Sequence, residues 1–278
     1  MSISHTRIAF IGGGNMARSL IAGLVADDHD PAALIVREPD ADKASRLAAA
    51  YGCRIAADDA AALADAEVVV LCVKPQVAPD VCRELGLALP EPPPLVISVM
   101  AGVTEAALQR WLGQPVPLVR TMPNTPVMVQ SGAIGLHAGP GTSAAQANLA
   151  EKVLRAGGLT RWVDDERQLD VVTALSGSGP AYFFLFMEAL EQAAIDQGLD
   201  ADTARLFSIQ TALGAARMAM ESDDSPATLR ERVTSPGGTT ERALAAFADG
   251  DLTGLVARAV TAARRRAEEL SQLLAEEQ

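Results

Sequence analysis

The chain has 278 residues, 49% hydrophobic and 4% aromatic, and a formal charge of −12 from 23 basic against 35 acidic side chains. That apolar fraction can bury a core and excludes wholesale disorder, and the length allows one or two domains. A field of this sign repels nucleic acid and anionic membrane surfaces, so any phosphate ligand needs a local device.

Met1 to Arg7 is short and polar, without the basic-then-apolar layout of a secretion signal. Ile8 to Ile11 reads as a buried strand and Met16 to Ala26 as a helix. Leu34 to Val36 is a second strand, and Asp40 to Tyr51 a helix with Asp40 as its N-cap. Ile55 lies in a short third strand. Val68 to Val73, Leu95 to Val99 and Leu118 to Thr121 are apolar runs suited to strands covered on both faces. Ile134 to His137 and Thr160 to Val163 complete the sheet. Strands alternating with helices predict an α/β fold over residues 1–165, a Rossmann-like, mostly parallel, doubly wound sheet.

Over residues 166–278 the pattern turns all-helical. Gly177, Gly179 and Pro180 open a long apolar helix running through Ala194, followed by Asp202 to Met220 and Gly250 to Leu274. Phe183, Phe184, Phe186, Met187, Leu190 and Ala194 make the first of these apolar on nearly every side, so it must be buried. So few helices cannot easily enclose it, which predicts a subunit interface. Cys53, Cys72 and Cys82 form no C-x-x-C pair and read as free thiols of a reducing compartment, with no metal expected. No apolar run approaches the roughly 20 residues of a membrane helix. The chain is expected in the cytoplasm.

Ile11-Gly12-Gly13-Gly14-Asn15-Met16-Ala17 fits G-x-G-x-x-G/A between a strand and a helix. Gly12 permits the tight turn, Gly14 removes the side chain that would block a pyrophosphate, and Ala17 lets helix and strand pack closely. The helix N-terminus offers free N–H groups to the anion. Arg37, after the second strand, suits a 2′-phosphate and favours NADPH over NADH, although Glu38 beside it has the opposite sign. Asp59 is placed either to approach the adenosine ribose or to act as a loop acid or cap.

Further loops follow strand ends: Val73-Lys74-Pro75, Ser98-Val99-Met100-Ala101-Gly102, and Arg120-Thr121-Met122-Pro123-Asn124-Thr125-Pro126. Ser176-Gly177-Ser178-Gly179-Pro180-Ala181-Tyr182 and Ser235-Pro236-Gly237-Gly238-Thr239-Thr240 come later. In this combination and order the chain resembles pyrroline-5-carboxylate reductase along essentially its whole length. The resemblance implies reduction of the cyclic imine of 1-pyrroline-5-carboxylate to L-proline. It implies that Ile11, Gly12, Gly13, Gly14, Asn15 and Met16 line the cofactor pyrophosphate. Cys72, Val73, Lys74 and Pro75, with Val99, Met100 and Ala101, would run along the nicotinamide. Ser235, Gly237, Gly238, Thr239 and Thr240 would hold the substrate carboxylate, with the Thr240 hydroxyl near the ring nitrogen. It further implies a homodimer or higher oligomer with the active site between subunits. Asp59 and Cys72 depart from the family pattern, which has Asn and Ala in many relatives.

Hydride transfer to C=N needs a group that stabilises an iminium or returns a proton to nitrogen. His5 and His29 stand far from the strand ends, and His137 on a strand reads as structural, so Thr240 is expected to orient an already protonated imine. Two other readings compete. A β-hydroxyacid dehydrogenase would want a lysine in the helical half, whereas Lys43, Lys74 and Lys152 all precede it. A non-catalytic dinucleotide sensor would want an output surface, often basic, which a −12 chain lacks.

Overall fold

The computed structural model describes residues 3–276. The chain forms two compact units, Met1–Ser178 with Ala263–Gln278, and Gly179–Ala262.

In the first unit eight strands form one sheet: β1 (Ile8–Ile11), β2 (Leu34–Arg37), β3 (Arg54–Ile55), β4 (Val68–Leu71), β5 (Leu95–Ser98), β6 (Leu118–Met122), β7 (Gly132–Ala138) and β8 (Gly158–Trp162). Their order is β3-β2-β1-β4-β5-β6-β7-β8. Strands β1 to β6 are mutually parallel, β7 runs antiparallel to β6, and β8 is parallel to β7. The predicted doubly wound sheet is therefore present, including the short edge strand at Ile55.

Six helices cover it: α1 (Asn15–Ala26), α2 (Ala41–Tyr51), α3 (Asp59–Leu63), α4 (Ala78–Ala88), α5 (Glu105–Leu112) and α6 (Ala144–Arg155). Strand residues alternate between two cores. Ile8, Phe10, Val68 and Val70 join α1 and α6 in one; Ala9, Ile11, Val69 and Leu71 join α4 and α5 in the other. A strand whose two faces both meet apolar helices has no use for a polar residue, which is why these runs are uninterrupted. Asp40 caps α2 as expected, accepting from the N–H groups of Asp42 and Lys43. The strand order reverses between β1 and β4, so a crevice opens at their carboxyl ends, where such folds bind ligands.

Helix α7 (Gln168–Val172) belongs to this unit, with Leu169 buried and the Ser271 hydroxyl donating to Asp170 Oδ1 at 3.5 Å. A π-helical turn, Thr173–Gly177, continues it. The second unit contains α8 (Gly179–Asp196), α9 (Ala201–Glu221), α10 (Pro226–Arg232), α11 (Thr239–Asp249) and the first part of α12 (Leu252–Glu276). The Phe186 and Phe247 rings, 6.0 Å apart, tie α8 to α11.

As expected, its own chain does not bury the apolar helix: Phe183 and Phe184 are each 65% exposed. Their burial needs something outside this chain. One expectation is corrected: Gln168–Asp196 forms a continuous stretch of 29 residues that is long and apolar enough to cross a membrane by length and composition. The sequence hides this because Thr173, Ser176 and Ser178 interrupt the apolar residues, yet no charge lies between Asp170 and Glu188.

Candidate dinucleotide and substrate sites

The glycine turn lies at the strand-order reversal. Gly12 has φ +97°, and its N–H donates to Arg37 O at 2.8 Å. A Cβ there would stand 3.0 Å from Cys72 O and 3.1 Å from Val73 Cγ1. Glycine is therefore required twice, for the left-handed backbone and for the close passage of the β4 end. Gly14 differs: its backbone is ordinary, and a Cβ would meet nothing within 4 Å. It is the N-cap of α1, makes no side-chain cap, and no acid follows in the first turn. The opening N–H groups of α1 are thus left for an external acceptor. Open space above Gly14 and free donors below it fit a dinucleotide pyrophosphate.

Arg37 ends β2, and its Nε lies 3.3 Å from Asp59 Oδ1. Asp59 is the first residue of α3, and the cap is Asp58, whose side chain accepts from Ala61 N–H. Sequence reasoning weighed Arg37 and Asp59 separately; the fold brings them together. Glu38 is legible in the sequence only as a charge of opposite sign; in the fold its Oε2 accepts the Gly13 N–H at 2.8 Å and its Oε1 accepts the Asp40 N–H at 3.0 Å. Nothing in the 25-residue spacing between Gly13 and Glu38 reveals that bond. Beside the turn, a cleft of about 390 Å³ is lined by Gly13, Gly14, Asn15, Arg18, Lys43, Arg46 and Tyr51 among others.

At the β4 end, Cys72 N–H donates to Ile11 O at 2.8 Å, and burial pushes the Cys72 thiol well above its ordinary pKa. Cys72 packs partly buried against the core, and Val73, Lys74 and Pro75 lead onward to α4. At the β5 end, Val99 is half-buried and Ala101 exposed, but the Met100 side chain is buried in the core and its N–H donates to Ser98 Oγ at 3.3 Å. Met100 can therefore offer a ligand only its carbonyl. Asn124 holds its loop, donating to Ser176 O at 3.0 Å and accepting from Ala133 N–H at 2.9 Å.

The second unit carries the other predicted segment. Gly237 has φ +71° and leads into Gly238, the N-cap of α11, which again has no side-chain cap. A Cβ on Gly238 would approach Ser235 O to 3.0 Å. Glu241 Oε2 accepts the Gly237 N–H at 2.8 Å and so shapes the turn, a contact that sequence reasoning missed. Ser235 and Thr239 are exposed and Thr240 is half-buried. The uncapped α11 N-terminus and these three hydroxyls form a donor set suited to a carboxylate.

The buried charges of the first unit serve the scaffold. Arg120, 4% exposed, donates to Glu166 Oε1 at 2.7 Å and lies 3.9 Å from Asp170. His137 Nδ1 lies 2.6 Å from Glu105 Oε1, which settles it as a structural histidine. Burial raises the pKa of Asp170, against the pull of Arg120. A raised folded-state pKa means that ionising Asp170 costs stability, so its contribution is full below the unfolded pKa and is lost as pH rises through the folded one. The melting temperature of Asp170→Asn relative to wild type is therefore expected to increase between about pH 4 and about pH 7. Differential scanning fluorimetry at both values checks this; a difference that shrinks with pH contradicts it.

Two family models match the chain. Residues 166–270 match pyrroline-5-carboxylate reductase dimerisation, and residues 7–102 match the NADP oxidoreductase, coenzyme F420-dependent model. A pyrroline-5-carboxylate reductase of Pseudomonas aeruginosa is 48% identical over 98% of this chain and 99% of its own. A solved pyrroline-5-carboxylate reductase from Coxiella burnetii superposes with TM-score 0.92 at 47% identity, over 96% of this chain and 98% of that one. The Plasmodium falciparum pyrroline carboxylate reductase, solved with NADP bound, shares the fold with TM-score 0.85 at 24% identity, over 97% of this chain and 100% of that one. Near-complete coverage at this identity, with the glycine turn and the Ser235–Thr240 turn folded as their motifs require, shows that the chain belongs to the pyrroline-5-carboxylate reductase family.

Proposed function

We propose that the chain reduces 1-pyrroline-5-carboxylate to L-proline, the last step of proline biosynthesis, with NAD(P)H as reductant. The observation that carries this is the match to pyrroline-5-carboxylate reductases along 98% of the chain. Bound reduced nicotinamide supplies the hydride that goes to the imine carbon; the protein supplies orientation and electrostatics.

Within that reading, residues 1–165 serve as the dinucleotide domain and residues 166–278 as the dimerisation and substrate domain. Ile11 to Met16 line the pyrophosphate: the uncapped N–H groups that open α1 at Asn15 and Met16 hold it, and Gly12, Gly13 and Gly14 give access. Arg37 and its partner Asp59 form a wall for the adenosine ribose, and the Arg37 guanidinium attracts a 2′-phosphate. The backbone of Cys72, Val73, Lys74 and Pro75, with Val99, Met100 and Ala101, guides the nicotinamide half. The Ser235 and Thr239 hydroxyls and the uncapped N–H groups that open α11 donate to the substrate carboxylate, Gly237 and Gly238 shape the turn that admits it, and Thr240 orients the ring nitrogen. The exposed phenylalanines of α8 lie in the region matching the dimerisation model, which supports a second copy of the chain as their cover, in a homodimer or larger assembly. The −12 charge argues against nucleic-acid and anionic membrane partners, and the free cysteines Cys53, Cys72 and Cys82 support a cytoplasmic enzyme.

Mixing purified protein with NADPH and 1-pyrroline-5-carboxylate tests the reading. Loss of reduced-nicotinamide absorbance with formation of proline is the expected result. No cofactor oxidation with either NADPH or NADH across the pH range would sink it.

A further inference from the structure

Two opposite charges stand side by side at the end of β2, and the fold commits each to a different neighbour. Arg37 is paired with Asp59. The Glu38 carboxylate is held by two backbone donors, the N–H groups of Gly13 at 2.8 Å and Asp40 at 3.0 Å. It is so close to the turn that a Cβ on Gly13 would stand 3.2 Å from Oε2. The carboxylate is therefore a built part of the surface that receives a dinucleotide. An acid at this strand end in a doubly wound fold accepts the adenosine 2′-hydroxyl, and the same charge repels a 2′-phosphate.

We propose that Glu38 is a cofactor-selecting residue: it accepts from the ribose 2′-hydroxyl of NADH and lowers the affinity for NADPH, against the attraction of Arg37. The proposal rests on the dinucleotide reading above. The neighbouring cations leave Glu38 uncompensated. Lys43 Nζ is 3.3 Å from Asp40 Oδ2, and Arg18 Nε donates to the Tyr51 hydroxyl at 3.3 Å. Arg46 lines the α1–α2 cleft, whose walls include neither Arg37 nor Glu38.

The test is direct binding, by calorimetry, of ADP-ribose and 2′-phospho-ADP-ribose to wild type, Glu38→Gln, Glu38→Asp and Arg46→Ala, with kcat/KM for NADH and NADPH measured alongside. In Glu38→Gln the affinity ratio of phosphorylated to unphosphorylated ligand is expected to rise about tenfold or more, because a repulsion between charges is removed. Glu38→Asp retracts the charge from Gly13 and keeps an acid near Asp40, so it moves the ratio the same way by a smaller factor, and it serves if the Gln variant fails to fold. A ratio that stays within about twofold of wild type in a folded Glu38 variant overturns the proposal. So does a wild-type preference for the phosphorylated ligand that disappears in Arg46→Ala, which would put the phosphate in the α1–α2 cleft. If wild type binds neither ligand, the dinucleotide reading itself fails and this proposal falls with it.

Discussion

Gly14→Leu is expected to fold with a melting temperature close to wild type and to lose about a hundredfold in dinucleotide affinity. The protein itself has no objection to the side chain: the backbone at Gly14 has φ −70° and ψ −174°, and a Cβ meets nothing within 4 Å. What the side chain would occupy is the space above the uncapped start of α1. A hydrogen bond to a charged group contributes roughly 1.5–3 kcal/mol, so losing even two of them at the low end gives the stated factor. Gly12→Ala is the contrast. Its φ of +97° costs an alanine roughly 1–2 kcal/mol, and the new Cβ overlaps Cys72 O. That variant is expected to melt several degrees lower, and to lose binding because the turn itself shifts. Thermal melts and cofactor titration on both variants decide the matter. Gly14→Leu binding as wild type does would remove the pyrophosphate from this turn, whereas an equal drop in melting temperature for both would make Gly14 a packing residue.

What was legible in the sequence follows from which signals are local. β1, β4 and β5 stand out because a strand buried on both faces is apolar at every position. The Asp40 cap is legible because its partners lie two and three residues away. The two glycine turns are legible because the backbone at Gly12 and Gly237 demands glycine, so the requirement is written in the residue itself. Contacts closed by the fold are a different matter. Glu38 reaches Gly13, Arg120 reaches Glu166 and Glu105 reaches His137 across 25, 46 and 32 residues. No spacing rule links those positions, so Arg37 was legible as a charge and Glu38 only as its contradiction. The helix around Phe183 shows a third case. Its all-round apolar surface announced burial correctly as a chemical need, but the solution lies outside one copy of the chain.

Thr240→Ala is expected to lower kcat by about a hundredfold, the scale of a positioned proton-transfer or orienting group, while the dinucleotide still binds with an affinity within about twofold of wild type. Thr240 is the second residue of α11, half-buried, on the turn that Gly237 and Gly238 open. A threonine hydroxyl is far too weak an acid to protonate the ring nitrogen at neutral pH, so its available contribution is to accept from a protonated imine and hold that ring in one orientation. The proton then arrives with the substrate. The rate should fall as pH rises past the pKa of the substrate iminium, and that midpoint should be the same in wild type and Thr240→Ala, only the amplitude differing. Thr240→Ser keeps the oxygen and should recover most of the loss. Steady-state pH profiles of the three proteins, with cofactor affinity measured separately, test each part. A midpoint that moves in Thr240→Ala would make the hydroxyl part of the proton path, and an unchanged kcat would take Thr240 out of the reaction altogether.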